Sequence, residues 1–151
     1  MGEVLFYHLT RSPVEDVLGQ LLPRALAQGW RVVVRGADRA RLEWLDEKLW
    51  LGPEESFLPH GLAGGPHDAR QPVLLTTGRE APNRPQVLAV IDGAPVEPDE
   101  AAGLERLWVL FDGADPAAVE AARALYRRFR DAGHLPQYWS EASGRWQRQA
   151  G

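Results

Sequence analysis

The chain has 151 residues, of which 44% are apolar and 25% charged, and its formal net charge is −4. These values are typical of one globular domain with a real core, and the absence of cysteine excludes disulfides and cysteine-based zinc sites. No apolar run reaches the roughly 20 residues of a membrane-spanning helix, and the first residues lack the layout of a signal peptide.

The N-terminal part of the chain predicts a strand, a helix and a second strand. Val4–Tyr7 is a short apolar run of strand length. Ser12 is expected to cap the helix that follows, because Glu15 stands three residues later and completes a capping box. Pro23 should kink or interrupt this helix. The β-branched run Trp30–Val34 predicts the second, buried strand.

The next helix is predicted over residues 39–51, with Asp38 as its cap, and Gly52-Pro53 ends it. Two aromatic residues, Trp50 and Phe57, stand at this boundary among turn residues. Aromatic side chains on a loop either fold back over the core or are displayed to a partner. For either residue alone, folding back over the core is the favoured interpretation. Because the two aromatic residues stand so close together, we also carry the hypothesis that they form a surface for a partner.

The middle of the chain is rich in strands. Residues 61–71 are polar and glycine-rich and predict a surface loop. Apolar runs then predict three strands, Val73–Thr77, Gln86–Ile91 and Leu107–Phe111. Between the last two, Pro98–Gly103 is compatible with a short helix.

The last predicted helix covers residues 116–132, with Asp115 as its cap and Gly133 at its end. Leu135–Trp139 has the composition of an edge strand. Residues from about 140 to 151 are polar apart from one tryptophan, and we expect this tail to fray.

This order of elements predicts an α/β fold: a single domain over residues 1–151 with a mostly parallel central sheet flanked by helices. The topology is Rossmann-like, but a nucleotide-binding loop is absent, because the first strand-to-helix turn at residues 8–12 has no glycine. His60 and His67 have the spacing of no common metal site. We find no catalytic constellation and expect neither a metal nor a cofactor.

The helix 116–132 is the best candidate for a functional surface. Apolar residues that include Tyr126 recur on one face, and Arg123, Arg127 and Arg130 recur on the face beside it. From Pro116 onward the net charge is about +3 and the rest of the chain carries about −7. Such a surface suits an acidic peptide with an apolar terminal residue. An ordinary amphipathic helix with a solvated basic stripe explains the same pattern, and the sequence alone favours this second interpretation.

Residues 45–50 read Leu-Asp-Glu-x-Leu-Trp, and residues 55–64 read Glu-Ser-Phe-x-Pro-His-x-Leu-Ala-Gly. Together they resemble the chi subunit family of the bacterial DNA polymerase III holoenzyme. Weaker similarity covers Phe6-Tyr7, residues 28–34 and residues 122–133. The resemblance therefore extends over most of the chain.

This resemblance implies that the late helix binds the acidic, phenylalanine-terminated tail of single-stranded DNA-binding protein (SSB). The family's binding residues match Arg123, Tyr126 and Arg127. A family lysine at the start of the helix falls on Val119, so that contact is missing, and Arg130 or Arg128 compensates for it in our hypothesis. The family's second surface, which meets the psi subunit or a helicase-like partner, matches Trp50 and Phe57.

The resemblance thus implies a non-catalytic accessory subunit of the replicative polymerase, cytoplasmic and monomeric on its own, that links SSB to the clamp loader in DNA replication. Contact with DNA would be indirect, and whether a psi subunit is the partner stays open. Two alternatives remain from the residues themselves. One is an α/β enzyme domain that binds a nucleotide or another small molecule, and the other is a direct binder of single-stranded DNA.

Overall fold

A computed structural model describes residues 2–50, 59–141 and 147–150. Its three α-helices are α1 (Val14–Ala27), α2 (Arg39–Trp50) and α3 (Pro116–Asp131). The strands are β1 (Glu3–Leu9), β2 (Val32–Arg35), β3 (Gly61–Leu62), β4 (Val73–Thr76), β5 (Val87–Val90), β6 (Arg106–Asp112), β7 (Gln137–Ser140) and β8 (Gln147–Ala150). Two short 3₁₀ helices cover Asp68–Arg70 and Pro98–Gly103. None of the helices in these ranges is both long and apolar enough to span a membrane.

The eight strands form one sheet in the order β3-β4-β2-β5-β6-β1-β7-β8. Each neighbouring pair is parallel apart from β7 and β8, which pair antiparallel. The predicted α/β fold with a mostly parallel central sheet is therefore confirmed. β1, the first strand of the chain, lies in the interior of the sheet, between β6 and β7.

Helices cover both faces of the sheet. α1 and α2 pack on one face, where the buried residues Leu18, Leu22 and Leu45 meet Val32 and Val34 of β2. α3 packs on the other face with the 3₁₀ helix at residues 98–103, and its buried residues meet β1 and β6. Strands covered on both sides bury consecutive residues, which explains their nearly continuous apolar runs.

The start of α1 differs from the prediction. Ser12 does not cap this helix: Pro13 is the N-cap residue, and no side chain caps it. The Ser12 hydroxyl instead donates a hydrogen bond to Glu141, 2.9 Å away. Pro23 lies inside α1, which continues to Ala27. The local capping signal was overridden by a contact with a distant part of the chain.

The C-terminal strands also differ from the prediction. β7 is not an edge strand, because it lies between β1 and β8. β8 was not predicted at all: Gln147–Ala150 belong to the segment that was expected to fray, and they pair with Tyr138–Ser140. The loop predicted at residues 61–71 likewise contains β3, a short strand beside β4. In each case the pairing partner, and not the local composition, makes the strand.

Candidate functional site

Helix α3 has well-defined ends, as its sequence predicted. The Asp115 carboxylate accepts a hydrogen bond from the Ala117 N–H at 3.0 Å, and Pro116 occupies the first turn. Gly133, just past the end, has a φ of 95°, a conformation that suits glycine. Ala122 and Phe129 are the buried residues of the inner face. This anchoring fixes which side chains α3 presents outward.

The outward face of α3 is basic. Arg123, Arg127 and Arg130 are all exposed, and their spacing of three to four residues places them on one face. Among the described residues, neither Arg123 nor Arg127 forms an ion pair, whereas Arg130 lies 3.6 Å from Asp131. Arg128 points away from this face and pairs with Glu97. Two exposed guanidinium groups, one helical turn apart, are thus available to a ligand.

Tyr126 lies beside these arginines and is firmly held. Its hydroxyl donates a hydrogen bond to the Pro136 carbonyl at 3.0 Å. Its ring meets that of Phe6 edge-on, with centroids 5.4 Å apart and an angle of 62° between the planes. The bond to Pro136 also fixes the connection from α3 to β7, where Leu135 is 87% exposed. The four residues that the sequence singled out on this helix are therefore brought together.

Sequence reasoning missed a second aromatic residue at this surface, Tyr138 of β7. Its ring lies 6.3 Å from that of Tyr126 and 5.8 Å from that of Phe111. The Tyr138 hydroxyl and His8 Nδ1 form a hydrogen bond of 2.7 Å. Alternation along the strand could have indicated this orientation, because Tyr138 pairs with Phe6 on the face that α3 covers.

The position of His8 is fixed from behind by Gly113. A Cβ atom at residue 113 would lie 1.9 Å from His8 Cδ2, so the close approach requires glycine. The contacts of His8 with Tyr138 and Phe111 assign it to the aromatic cluster.

The electrostatics of this cluster involve Arg123. Burial raises the pKa of the Tyr138 hydroxyl above its ordinary value, because it disfavours the phenolate, and the positive charge of Arg123 opposes part of this rise. The charge of Arg123 on α3 therefore acts on the hydroxyl of Tyr138 on β7.

The second predicted surface lies largely outside the described residues. Phe57 falls within residues 51–58 and is not described. Trp50 is the last residue of α2, on the sheet face opposite α3, and its side chain is not described either. His60 is buried and contacts α2, with Nε2 3.0 Å from the Asp46 carbonyl oxygen.

The turn from β1 to α1, where a Rossmann-like fold would bind phosphate, is filled by a side chain of the protein. The backbone N–H groups of Thr10, Arg11 and Ser12 donate to one oxygen of Glu141 at 3.0, 2.9 and 2.7 Å. Glu141 is itself buried. Donors that could hold a phosphate are thus already bonded to an internal carboxylate.

A cavity of about 1200 Å³ lies beside this turn, at the carboxyl ends of β1, β5 and β6. The first residues of α1 and an alanine-rich face of α3 line it. Within residues 2–50, 59–141 and 147–150, no group of three or more histidine, aspartate or glutamate side chains is arranged to hold a metal ion. The geometry therefore gives the nucleotide alternative no support beyond an open cavity.

Comparisons with known proteins show which family this chain is similar to. The family model for the DNA polymerase III chi subunit matches residues 1–137. The DNA polymerase III subunit chi of Pseudomonas aeruginosa is 33% identical over 119 residues, which cover 79% of this chain and 80% of that protein.

Two further relatives match over shorter stretches. The probable DNA polymerase III subunit chi of Rickettsia prowazekii is 26% identical over 60% of this chain, and the subunit chi of Escherichia coli is 32% identical over 51% of it. The matched regions span about half the length of these two proteins, 55% and 53%. The family model nevertheless covers nearly the whole chain, and the chain therefore belongs to the family of DNA polymerase III chi subunits.

Proposed function

We propose that this protein is a non-catalytic accessory subunit of the bacterial replicative polymerase, which binds the acidic tail of SSB and links it to the clamp loader. The observation that carries the proposal is the surface of α3. There, two exposed arginines without ion pairs among the described residues, Arg123 and Arg127, flank the fixed ring of Tyr126. Arg130 adds a third positive charge, partly offset by Asp131.

This arrangement fits the chemistry of an acidic peptide that ends in phenylalanine. A guanidinium group offers paired N–H donors that match a carboxylate, so Arg123 or Arg127 can hold the terminal carboxylate with two hydrogen bonds. The ring of Tyr126 offers an apolar and aromatic surface to the terminal side chain. Because these charges are exposed, electrostatic attraction should be sensitive to salt.

The proposed link to the clamp loader uses Trp50 and Phe57, with psi or a helicase-like protein as the partner. Trp50 ends a helix on the opposite face of the sheet from α3. Two partners on opposite faces would not compete for space, which suits a protein that connects them. The acidic net charge of −4 favours indirect contact with DNA. We propose that the subunit works in the cytoplasm, without a cofactor, as a monomer on its own.

The test of the tail site is a fluorescence-anisotropy titration with a labelled acidic peptide ending in Pro-Phe, at low and moderate salt. The same peptide without its final Phe serves as the ligand control. We expect saturable binding that is lost without the Phe and lost in the Arg123→Glu variant. Arg70→Glu, an exposed arginine far along the sequence from α3, is the matched control and should bind normally. If the unaltered protein binds neither peptide, the proposed function is wrong.

The clamp-loader surface is tested separately, by pulldown of purified clamp-loader subunits with the Trp50→Ala variant. We expect weaker capture of these subunits and unchanged binding of the tail peptide. Equal loss of both activities, together with a lower melting temperature, would mean that Trp50 belongs to the core. Unchanged capture would overturn its assignment to the partner surface.

A further inference from the structure

The sheet face opposite α3 is covered by helices only in part. The core beneath α1 and α2 extends from β4 across β2, β5 and β6 to Leu9 of β1. Leu5 and Tyr7 of β1 lie at the margin of this core and are only partly buried. β7 and β8 follow beyond β1, at the end of the sheet. The side chains that β7 and β8 project on this face therefore stand beyond the edge of the core.

Strand register places two aromatic residues and a cation side by side on this part of the sheet. Tyr7 of β1 is the partner of Trp139 of β7, and Trp139 is the partner of Arg148 of β8. Residues that pair directly on neighbouring strands project to the same face. Tyr138, the residue before Trp139, packs in the core on the α3 side, so this row lies on the opposite side. We call the row formed by Tyr7, Trp139 and Arg148 the β7 face.

Trp139 has the surroundings of a displayed aromatic residue. It is half-buried and belongs to neither of the two buried clusters that the described residues form. Its indole Nε1 donates a hydrogen bond to the side-chain oxygen of Gln137, 3.1 Å away and two residues earlier on the same face. This bond satisfies the indole N–H and holds the ring in place. A ring that is fixed before a ligand arrives loses little conformational entropy on binding.

The surroundings of the β7 face are positively charged. Arg148 and Arg24 are exposed. Burial raises the pKa of the Tyr7 hydroxyl to about 12, and the nearby charges of Arg106 and Arg24 oppose part of this rise. Glu3, at the start of β1, forms an ion pair with Arg106 at 3.3 Å. Three arginines and one glutamate thus make this region locally positive, although the whole chain carries −4.

Aromatic rings on an open sheet beside cations match the chemistry of single-stranded nucleic acid. Unpaired bases stack on aromatic side chains, and arginines bind the phosphates that connect them. An acidic peptide would match the arginines alone, whereas nucleotides match the arginines and the rings. The β7 face is therefore more complementary to nucleotides than to carboxylates.

We infer that the β7 face is a contact site for a short single-stranded segment of nucleic acid, whose bases stack on Trp139 and Tyr7 while Arg148 binds a phosphate. Two rings suffice for about two bases. The net charge of −4 keeps the contact with a naked strand weak, so it adds to the indirect link through SSB and does not replace it. The inference goes beyond the proposed function and does not depend on it, because α3 lies on the other face of the sheet.

The test is a fluorescence-anisotropy titration at low salt with a labelled oligothymidine of about ten nucleotides. A strand of the same length with abasic sites keeps the phosphates and lacks the bases. We expect the unaltered protein to bind the base-bearing strand more tightly than the abasic one. Trp139→Ala should weaken binding of the base-bearing strand about tenfold, the size of one lost stacking contact, and leave the abasic strand unaffected.

Further variants separate stacking from charge. Trp139→Phe keeps an aromatic ring and should retain most of the preference for bases. Trp139→Leu keeps apolar volume if the alanine variant folds poorly, and it should still lose that preference. Arg148→Glu should weaken binding of both strands. Arg70→Glu is the matched control, because it makes the same change of charge in the connection between β3 and β4, at the opposite end of the sheet.

The outcomes separate this inference from the proposed function, which the acidic-peptide titration decides alone. If the unaltered protein binds the base-bearing strand no more tightly than the abasic one, the inference is overturned, whatever the peptide does at α3. Equal losses in Arg148→Glu and Arg70→Glu would show that the strand responds only to net charge, and the inference would fail. If Trp139→Ala weakens binding of the acidic peptide and not of the oligonucleotide, the β7 face is a peptide surface and the inference is wrong.

Discussion

Glu141 accepts two hydrogen bonds from Ser12, one from its backbone N–H at 2.7 Å and one from its hydroxyl at 2.9 Å. The same carboxylate accepts the N–H groups of Thr10 and Arg11. The turn that leads into α1 is therefore held by a residue that follows β7, the last parallel strand. This contact joins the two ends of the chain at the position where related folds bind phosphate.

We expect Glu141→Ala to lower the free energy of unfolding by about 2 kcal/mol, because hydrogen bonds to a buried charged group are among the stronger ones. Urea unfolding monitored by tryptophan fluorescence measures this change. Glu80→Ala, an exposed glutamate in a loop, is the control and should have almost no effect. A loss in Glu141→Ala no larger than in the control would show that the contact contributes nothing.

The effect of Glu141 should depend on pH. Burial raises the pKa of its carboxyl, but the hydrogen bonds from Ser12, Arg11 and Thr10 outweigh burial, and the pKa lies below its ordinary value. Since the folded state has the lower pKa, the stabilisation is complete above the unfolded value and is lost as pH falls through the folded one. The difference between the protein and Glu141→Gln should shrink below about pH 4. A difference that stays constant from neutral pH to pH 3 would contradict this.

The pair formed by Arg35 and Glu100 should be costly to break. Arg35 is 3% exposed, and its two terminal nitrogens donate to the two Glu100 oxygens at 3.1 and 2.8 Å. Glu100→Ala leaves a buried guanidinium without its counter-charge, and we expect a loss of about 3 kcal/mol by thermal or urea unfolding. Glu43→Ala breaks the exposed pair with Arg39 and should cost less than about 1 kcal/mol. Similar losses of unfolding free energy in the two variants would contradict the prediction that the buried pair is more costly to break than the exposed one.

Replacing Pro23 should stabilise the protein. Pro23 is exposed inside α1 and has no N–H to donate to the carbonyl of Gly19, four residues earlier. Pro23→Ala restores that hydrogen bond, and we expect a gain of about 1–3 kcal/mol, reduced by the greater freedom of the unfolded chain. Thermal unfolding followed by circular dichroism measures this gain in stability. Arg24→Ala, at the adjacent exposed position, serves as the control, and a Pro23→Ala variant that melts lower would refute the prediction.

Two neighbouring arginines of α3 should differ in their effect on peptide binding. Arg127→Glu reverses a charge on the proposed binding face and should weaken binding of the acidic peptide at least about tenfold. Arg128→Glu alters the next residue, which points away and pairs with Glu97, and should weaken it much less. Anisotropy titrations of both variants at low salt provide the comparison. Equal losses would mean that the peptide responds only to the total charge of the helix.

Much of the fold could be predicted because its signals are local. The ends of α3 follow from Asp115, Pro116 and Gly133, which act within one turn of their own position. The same periodicity that predicted this helix also placed Arg123, Arg127 and Arg130 on one face. A residue's neighbours along a helix are fixed by the sequence itself, so the part of the site on α3 could be predicted.

The rest depended on contacts between distant residues. Serine is a residue type that favours the N-cap position of a helix, yet the Ser12 hydroxyl donates its hydrogen bond to Glu141. No local pattern in the sequence reveals this contact. Tyr138 joins the site only because β7 pairs with β1, so its importance follows from strand order and not from its own segment. Strand β8 has a polar composition and becomes a strand by pairing with β7.

The location of β1 inside the sheet has a consequence for synthesis. Both strands that flank it, β6 and β7, are encoded in the final third of the chain. While the ribosome makes the protein, β1 therefore has no neighbour to pair with until most of the sequence has emerged. Its apolar residues, which include Val4 and Phe6 and are buried in the folded protein, stay exposed during this time. We expect the sheet to be completed only after β7 has emerged, and the nascent chain to depend on a chaperone until then.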